Sequence, residues 1–359
     1  MIPLQPSSHS ATRPCLWTSP WNASSRRYNG WNSDEQKGLC MKNILITGVS
    51  GYFGWKLIQF LDDRPEVKRI VGIDIRPPQY TSNRLEFIRC DVRENLDRVF
   101  ADREIDCVIH TAYILPPMPE ISLMEDININ GARNVITAAA RHRVSQILDC
   151  SSSTAYGFHP DNPAVLTEES PLRGNDDFTY AKNKKEIDAW IRVFEEDCPD
   201  IVVTTIRPCF VVGPGFTNPL ARHLTKKICI MPLETSPFQF IHEDDLVEIM
   251  YLLLKKRKAG IYNLAADGTM TFDDMIRILG GLSLKLPVWL LWPINNLMWR
   301  LRMTFVTEFP SPCLNMIRYP WIASNKKVKE ELGYAFRYTT REAFEDFARH
   351  VKSSGGIRV

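Results

Sequence analysis

A tyrosine and a lysine in the middle of the chain have the spacing that proton transfer requires. Tyr180 and Lys184 stand four residues apart in a segment, residues 178–198, whose apolar residues recur at three- and four-residue spacing. Both therefore lie on one face of a predicted helix. An ammonium beside a phenol favours the phenolate, so we expect Lys184 to lower the phenol pKa toward the working pH. The pair predicts an acid and base at Tyr180, and Lys182 is interpreted as a solvated surface residue.

A cluster of hydroxyl side chains precedes this pair in the chain. Ser151, Ser152, Ser153 and Thr154 begin where a predicted strand, residues 147–150, ends. Doubly wound parallel sheets bind ligands at the carboxyl ends of their strands. This position favours convergence of a serine and the tyrosine on one substrate oxygen, which a chance Tyr-x-x-x-Lys match would not offer.

Three glycines near the start of the folded region have the spacing of a phosphate-binding turn. Gly48, Gly51 and Gly54 follow a predicted strand, Asn43–Thr47, and open a predicted helix over residues 52–61. Glycine permits a tight turn and a close approach of the backbone, and a helix N-terminus offers unpaired N–H groups to a pyrophosphate. The pattern therefore predicts a dinucleotide-binding turn.

An acidic residue supports this interpretation and bears on the choice of dinucleotide. Asp74 stands twenty residues beyond Gly54, at the end of the second predicted strand, which is the spacing of a carboxylate that binds the adenosine ribose. A carboxylate there repels a 2′-phosphate in a partly desolvated site. The sequence therefore predicts NAD rather than NADP, a preference that the nearby Arg76 softens.

Short apolar runs alternate with helical patterns from residue 43 onwards. A parallel pair of strands needs a crossover, which is usually a helix. The alternation therefore predicts an α/β fold with a doubly wound parallel sheet covered on both faces. The longest predicted helices cover residues 126–142 and 178–198. The predicted strands cover residues 43–47, 67–74, 85–89, 107–110, 147–150 and 202–206.

Composition and charge exclude several classes of protein. Hydrophobic residues make up 44% of the 359 residues and charged residues 24%, which excludes a disordered or polytopic membrane protein. The net charge of +2 predicts no nucleic-acid partner. The nine cysteines are scattered without metal-ligand spacing, so we predict no metal site, reduced thiols and a cytoplasmic location.

The chain divides into three predicted regions. Residues 1–40 are rich in Ser, Asn and Pro and lack a secretory apolar stretch, so they are predicted to be a disordered tail, and Met41 is interpreted as the natural start. Residues 41–265 are predicted to form the cofactor-binding domain, with insertions around 209–235 that contribute to a substrate lobe. Residues 266–359 are predicted to form the smaller, mainly helical substrate lobe and a C-terminal tail.

The chain resembles the extended short-chain dehydrogenase/reductases, also called the NAD-dependent epimerase/dehydratase family. Its layout is similar to that of the UDP-glucose/UDP-galactose 4-epimerase branch. The resemblance covers residues 42–265 closely and implies a Rossmann fold, bound NAD and a homodimer that pairs the two long helices, with Trp190, Phe194 and Cys198 in the interface. The ordered matches that carry it are Gly48, Gly51, Gly54, Asp74, Asp91, Val92, His110, Thr111, Ala112, Asn128, Gly131, residues 151–157, Tyr180, Lys184, Arg207, Pro208, residues 213–215 and residues 240–245.

The resemblance also implies roles for individual residues. Asp91 and Val92 would flank the adenine, Pro208 would pack near the nicotinamide carboxamide, and Ser152, with Ser153 as the alternative, would be the catalytic hydroxyl. A lysine at the Lys184 position would bind the nicotinamide ribose and tune the tyrosine. The other implied cofactor contacts are Gly48, Gly51, Tyr52, Phe53, Gly54, Asp74, His110, Ala112 and Tyr180.

Departures from the 4-epimerase branch concern the substrate. That branch has an Arg-Asp pair before its aromatic-Ile-His stretch and an asparagine after the sixth strand, and these hold a nucleotide diphosphate. This chain has Phe238 and Gln239 at the first place and residues 209–212, Cys-Phe-Val-Val, at the second. A diphosphate is then poorly compensated unless other arginines substitute. The candidate arginines are Arg222, Arg300, Arg302 and Arg318.

An apolar stretch in the predicted lobe, residues 286–303, has two interpretations. It is too short and too interrupted to span a bilayer. The favoured interpretation is a helical lobe packed over the active site. The alternative is a surface for a lipid-like substrate or a membrane interface, with Trp289, Trp292 and Trp299 beside two arginines as anchors.

Three hypotheses of function follow from these patterns. The first is an NAD-dependent oxidoreductase that transfers a hydride between NAD and a secondary alcohol or ketone. The second is a nucleotide-sugar 4-epimerase or dehydratase, and the third is a non-catalytic scaffold that senses NAD(H). The presence of Tyr180, Lys184 and Ser152 favours an enzyme, because a scaffold has no need of the tyrosine.

Overall fold

The computed structural model describes residues 42–118, 120–303 and 307–355. The predicted tail, residues 1–40, and Met41 lie outside these ranges. The strands are β1 (Asn43–Thr47), β2 (Arg69–Asp74), β3 (Leu85–Arg89), β4 (Cys107–His110), β5 (Gln146–Cys150), β6 (Val202–Pro208), β7 (Phe210–Val212), β8 (Ile228–Pro232), β9 (Phe240–His242), β10 (Gly260–Leu264) and β11 (Leu282–Leu286).

Seven of these strands form one sheet in the order β10-β6-β5-β4-β1-β2-β3. All of its neighbouring strands are parallel. Strands β4 and β5 are buried along their whole length, as expected of a sheet with helices on both faces. The doubly wound α/β fold is therefore confirmed. The strand order reverses between β1 and β4, and ligands bind such sheets at the carboxyl ends of the strands at this point.

Helices connect the strands and cover the sheet. Helix α1 follows the glycine turn, and α7 packs beside it on the same face. The helices are α1 (Tyr52–Asp62), α2 (Asp97–Ala101), α3 (Ile121–Glu125), α4 (Ala132–Arg141), α5 (Thr179–Asp197), α6 (Pro219–Leu224), α7 (Glu243–Lys255), α8 (Phe272–Leu279), α9 (Val288–Arg300), α10 (Leu314–Arg318), α11 (Lys326–Leu332) and α12 (Thr340–Ser353).

The helix predicted over residues 126–142 has a different form. A π-helical turn, Asp126–Gly131, joins α3 to α4. Its residue Asn128 accepts a hydrogen bond from the Ile114 backbone N–H at 2.7 Å and donates one to the Ile114 carbonyl at 3.1 Å. These long-range bonds hold the turn against the loop that follows β4, and hydrophobic periodicity alone does not predict them.

A second group of elements lies beyond the sheet. Strands β8 and β11 form a small parallel pair, and β7 pairs with β9. Their buried side chains share a core with α6, α8, α10 and α12 that is rich in aromatic rings. The members of this aromatic core that matter below are Phe158, Phe178, Phe210, Phe238 and Trp321.

The implied dimer helix uses part of its apolar face inside the chain. Phe194 and Cys198 are at most 1% exposed and pack in the core beneath the sheet. The expectation that a partner helix covers them is therefore wrong. Val193 is the exposed apolar residue of this turn, at 57%, because it lies on the opposite face of the helix.

Six cysteines are free thiols buried in the structure, namely Cys90, Cys107, Cys150, Cys209, Cys229 and Cys313. Cys198 is buried as well and is not among these free thiols. None of the helices in the described ranges is long and apolar enough to cross a membrane. Among the same residues, no cluster of three or more metal-ligating side chains occurs.

Candidate active site

A cleft of about 160 Å³ opens at the carboxyl ends of β1, β2 and β4. It lies where the strand order of the sheet reverses. Sequence-predicted residues line it from the glycine turn, from β2, from the loop after β3 and from the loop after β4. They are Gly48, Gly51, Asp74, Asp91, Val92 and Ala112.

The glycine turn leaves no room for side chains on its inner side. Gly48 has φ +75°, and a Cβ atom there would lie 2.8 Å from Ala112 Cα. A Cβ on Gly54 would lie 2.3 Å from the Gly48 carbonyl oxygen. The backbone of the turn is thus packed against the β4 loop on one side and the start of α1 on the other, and it presents bare peptide groups to the cleft.

Asp74 is held at the rim of the cleft by backbone groups. Its Oδ2 accepts a hydrogen bond from the Ser50 N–H and its Oδ1 one from the Arg76 N–H, both at 3.1 Å. Ser50 belongs to the glycine turn, so the carboxylate is fixed relative to the pyrophosphate position. A rigid carboxylate here fits two ribose hydroxyls.

Tyr52 and Phe53 pack beneath the turn, against the main core. The Tyr52 hydroxyl donates to Glu243, a nearly fully buried carboxylate that also accepts the Gly215 N–H at 3.0 Å. These contacts brace the start of α1 against the start of α7. The roles of Tyr52 and Phe53 as cofactor contacts stay predictions.

We expect Asp74→Asn to weaken NAD binding. The amide loses the charge that strengthens hydrogen bonds to ribose hydroxyls, and such bonds contribute enough for a loss of about tenfold or more in affinity. The repulsion of a 2′-phosphate also falls, so the NAD to NADP affinity ratio decreases. Calorimetric titration with both dinucleotides measures this ratio, and Asp63→Asn, at an exposed position near the end of α1, is the matched control. Unchanged affinities would show that Asp74 does not meet the ribose.

Tyr180 and Ser152 meet at the carboxyl end of β5. Both are at most 9% exposed, and the Ser152 side chain is near enough to the phenol of Tyr180 to oppose the rise of its pKa. Ser152 also accepts the Thr154 N–H at 3.2 Å, which caps a 3₁₀ turn, Ser153–Tyr156. Ser153 instead donates to the Arg207 carbonyl at 3.0 Å and is fully buried. The geometry therefore supports Ser152 over Ser153 as the hydroxyl next to Tyr180.

Lys184 lies beside this pair but points toward the sheet. Its Nζ donates to the Cys150 carbonyl at 2.5 Å and lies 2.8 Å from the centre of the Tyr113 ring and 5.6 Å from that of Tyr180. Burial lowers the lysine pKa to about 8, and the neighbouring Asp149 opposes this effect.

The expected lowering of the Tyr180 pKa is wrong for the protein alone. Burial raises the pKa of this phenol above its ordinary value, and the neighbouring Ser152 side chain only partly offsets this rise. A buried phenol without an immediate ammonium stays protonated at neutral pH. The phenol is thus a proton donor in this state.

Two functional candidates, Tyr113 and Asp149, were not predicted from the sequence. The Tyr113 hydroxyl donates to Asp149 Oδ1 at 2.6 Å. Asp149 is fully buried on β5, and burial raises its pKa to about 6. The sequence did offer one signal, because Asp149 is an acidic residue inside an apolar strand. A buried carboxylate needs a hydrogen-bond or charge partner.

His110 lies beside this pair, away from the cleft. It is fully buried, its Nδ1 is 2.7 Å from Thr47 Oγ1, and its ring packs edge-on against Tyr113. Burial and then Lys184 lower the histidine pKa to about 3, so the ring is neutral. Its place beneath Tyr113 favours a packing role over direct contact with a cofactor.

A buried ion pair fixes the segment that carries Ser152. Arg207 is fully buried and makes two hydrogen bonds of 2.8 Å to the Asp188 carboxylate. Asp188 also accepts a hydrogen bond from Ser151 at 2.8 Å, and Arg207 donates to the Tyr156 hydroxyl at 2.8 Å. The residue after Arg207, Pro208, is buried at the end of β6.

Comparisons with known proteins agree with this arrangement. An uncharacterized protein of Mycobacterium tuberculosis is 27% identical over 322 residues, which cover 86% of this chain and 84% of that protein. Short-chain dehydrogenase/reductase family 42E member 1 of Homo sapiens is 25% identical over 362 residues, which cover 88% and 90%. A crystal structure of UDP-glucose 4-epimerase from Thermotoga maritima with UDP-glucose superimposes with TM-score 0.69 at 15% identity, covering 87% of this chain and 99% of that one.

A second solved structure, UDP-glucuronic acid 4-epimerase from Bacillus cereus in complex with NAD, gives TM-score 0.68 at 19% identity and covers 87% and 99%. The model of the NAD dependent epimerase/dehydratase family matches residues 44–265. NAD is the cofactor of this family. The Gly48 backbone, which carries no side chain, and the fixed Asp74 carboxylate of this chain fit its pyrophosphate and its adenosine ribose. The chain therefore belongs to the NAD-dependent epimerase/dehydratase family, within the extended short-chain dehydrogenase/reductases.

Proposed function

We propose that this chain is an oxidoreductase that uses Tyr180, Ser152 and Lys184 to interconvert a secondary alcohol and a ketone. The observation that carries the proposal is the buried pair of Tyr180 and Ser152 at the carboxyl end of β5, where the Ser152 side chain favours the Tyr180 phenolate, with the Lys184 ammonium 5.6 Å from the centre of the Tyr180 ring. A scaffold that only senses NAD(H) has no need of this constellation. The ordered matches of the sequence to the family support the same roles.

In the direction of oxidation, the Tyr180 oxygen accepts the proton of the substrate hydroxyl as the C–H bond is broken. Ser152 donates a hydrogen bond to the same substrate oxygen, and the charged Lys184 favours the phenolate form that accepts the proton. NAD, when bound, accepts the hydride from the carbinol carbon. In the reverse direction Tyr180 returns the proton to the carbonyl oxygen, so protons and electrons balance.

Aromatic side chains beside the tyrosine favour an apolar substrate. The Phe178 ring centre lies 6.2 Å from that of Tyr180 and 6.1 Å from that of Phe158, and Trp321 packs against Phe158 at 5.1 Å and against Phe210 at 5.9 Å. Phe210 belongs to the stretch where the 4-epimerase branch has its asparagine. Because these rings lie next to Tyr180, they support an apolar substrate.

Phe238 and Gln239, which stand where the 4-epimerase branch has its Arg-Asp pair, also make contacts within the protein. Phe238 is 1% exposed and packs on Trp321 with ring centres 5.3 Å apart. Gln239 donates to the Ala266 carbonyl and accepts the Ala323 N–H, both at 3.0 Å. Neither side chain is free to hold a diphosphate.

One observation favours a nucleotide sugar as the second candidate substrate. Arg318 is mostly buried, and its Nε has no hydrogen-bond partner among the described residues. Its Nη2 is 3.9 Å from the exposed Glu234 carboxylate, so that ion pair is weak. Such a guanidinium can donate hydrogen bonds to a phosphate. Of the other three candidate arginines, Arg300 and Arg302 are exposed at the end of α9.

A substrate screen separates the two proposals. The purified chain with NAD is incubated with sterols, isoprenoid alcohols and UDP-hexoses, and NADH is followed by absorbance. We expect NADH from apolar secondary alcohols and none from UDP-hexoses. Conversion of a UDP-hexose without added NAD, by enzyme that retains cofactor through purification, would instead show epimerisation. A Tyr180-dependent UDP-hexose reaction lost in Arg318→Met would overturn the apolar-substrate proposal.

We expect Asp149→Asn to shift the pH profile. Lysine is charged below its pKa, which is about 8 for Lys184, and the Asp149 carboxylate raises that value. Tyr113, the neutral His110 and Asp188 also face this cluster. Removal of the Asp149 charge therefore lowers the lysine pKa, so the alkaline limb of the kcat profile moves to lower pH. The control is Asp176→Asn, at an exposed position, in which the alkaline limb should stay in place. An alkaline limb that also stays in place in Asp149→Asn would contradict the role assigned to Lys184.

The homodimer and the cytoplasmic location stay predictions. Trp190 is only partly buried in the chain, and Arg133 lies over its ring at 5.8 Å. This face of α4 and α5 supports pairing of the two helices in a dimer. Sedimentation velocity of the purified chain measures the oligomeric state.

A further inference from the structure

Helix α9 turns an apolar face to solvent. Trp289 is 74% exposed, Ile294 43%, Leu297 53% and Leu301, directly after the helix, 60%. Their spacing places them on one side of the helix. Leu291, on the other side, is 6% exposed and packs in the aromatic core of the lobe. The helix is therefore anchored by one face and leaves a second apolar face uncovered.

One amide side chain of α9, that of Asn295, points toward the protein. Asn295 donates to the Phe309 carbonyl at 3.0 Å, and Thr307 donates to the Asn295 side-chain oxygen at 2.5 Å. Ser311 donates to the Trp292 carbonyl at 2.8 Å. Ordinary surface helices show the reverse pattern, with amides outward and aliphatic side chains inward. These bonds fix the helix, so its exposed apolar face is a built feature of the fold.

The charged residues within the segment that carries this face have one sign. Residues 278–303 contain no acidic residue and carry Lys285, Arg300 and Arg302. Lys285 pairs with Asp273 at 2.6 Å. In the part of the chain that the structure describes, the Arg300 and Arg302 guanidinium groups are exposed and form no ion pair. The apolar stripe thus ends in two uncompensated positive charges.

We propose that α9 lies in the plane of a membrane and binds an anionic lipid surface. An exposed tryptophan, aliphatic side chains and flanking arginines are the combination that the boundary between headgroups and acyl chains favours. At 1.5 Å per residue the helix is about 20 Å long, too short for the ~30 Å hydrocarbon core. Exposed Leu282 and Leu284 of β11 add apolar area. A second copy of the chain is disfavoured, because it would bring the same cations and no acids to the interface.

Vesicle flotation of the full chain tests this surface. The probe is phosphatidylcholine vesicles with and without phosphatidylglycerol, at low and high salt. We expect binding to the anionic vesicles, weaker at high salt. Trp289→Ser/Leu297→Ser should reduce binding at least about tenfold through lost apolar burial. Arg300→Gln/Arg302→Gln should reduce it about thirtyfold and remove most of the salt dependence. The control is Val193→Ser, an equally exposed apolar position on α5.

All four altered side chains are exposed, so we expect the melting temperatures to match that of the unaltered chain. Absence of binding at low salt would overturn the proposal, as would equal binding by the stripe variant and by Val193→Ser. A stripe variant that changes from dimer to monomer in sedimentation, with unchanged vesicle binding, would assign the face to a second copy instead. These outcomes do not depend on the proposed chemistry, because NADH formation from a soluble substrate is measured without vesicles.

Discussion

Tyr180→Phe is expected to lower kcat about a thousandfold and to leave NAD binding intact. The variant keeps the ring that packs against Phe178 and removes only the oxygen that exchanges a proton with the substrate. Because the predicted cofactor contacts lie mainly in the glycine turn and at Asp74, the dissociation constant for NAD should not change. Stopped-flow measurement of NADH formation gives kcat, and calorimetric titration gives the affinity.

The matched control is Tyr80→Phe. Its hydroxyl donates to Asp62 at 3.1 Å, away from the site, so we expect wild-type turnover. Retained turnover in Tyr180→Phe would refute the acid and base assignment. Loss of NAD binding together with turnover would show that the phenol holds the cofactor instead of performing chemistry.

Arg207→Met is expected to lower the free energy of unfolding by about 3–5 kcal/mol. The substitution leaves the Asp188 carboxylate buried without its bidentate partner, with Ser151 as its remaining short contact. The Ser151–Tyr156 segment, which carries Ser152, then loses its anchor. Urea denaturation followed by circular dichroism measures the loss.

Two further variants test whether the loss of stability comes from leaving one charge of the buried ion pair unpaired. Arg173→Met breaks an exposed pair with Asp161 at 2.9 Å and should cost about 0–1 kcal/mol. Arg207→Met/Asp188→Leu removes both charges and should recover part of the stability, because no buried charge is left unpaired. A single Arg207→Met variant as stable as Arg173→Met would contradict the structural role of the pair.

The sequence predicts those features that depend on neighbouring residues in the chain. The glycine turn, the spacing from Gly54 to Asp74 and the face shared by Tyr180 and Lys184 are local, and the apolar runs locate the strands because buried parallel strands are continuously apolar. The strand bounds of β1, β3 and β4 agree with the predicted ones.

Features that depend on contacts between distant segments were missed. Asp149 and Tyr113 are 36 residues apart in sequence and meet through a hydrogen bond, which no periodicity reveals. The direction of the Tyr180 pKa depends on the burial of the phenol, and Lys184, which could oppose this effect, points toward the Cys150 carbonyl. The exposed apolar face of α9 was only the alternative interpretation of residues 286–303, since the composition of a helix does not determine which side its neighbours cover.

A crystal structure of the chain with NAD tests the central claim most directly. We expect the adenosine ribose at the Asp74 carboxylate and the nicotinamide ring facing the Tyr180 hydroxyl and Ser152. The Lys184 ammonium should have moved from the Cys150 carbonyl to the nicotinamide ribose. A nicotinamide bound away from Tyr180, or a Tyr180 phenol that points out of contact with the nicotinamide, would contradict the proposed role of Tyr180 as acid and base.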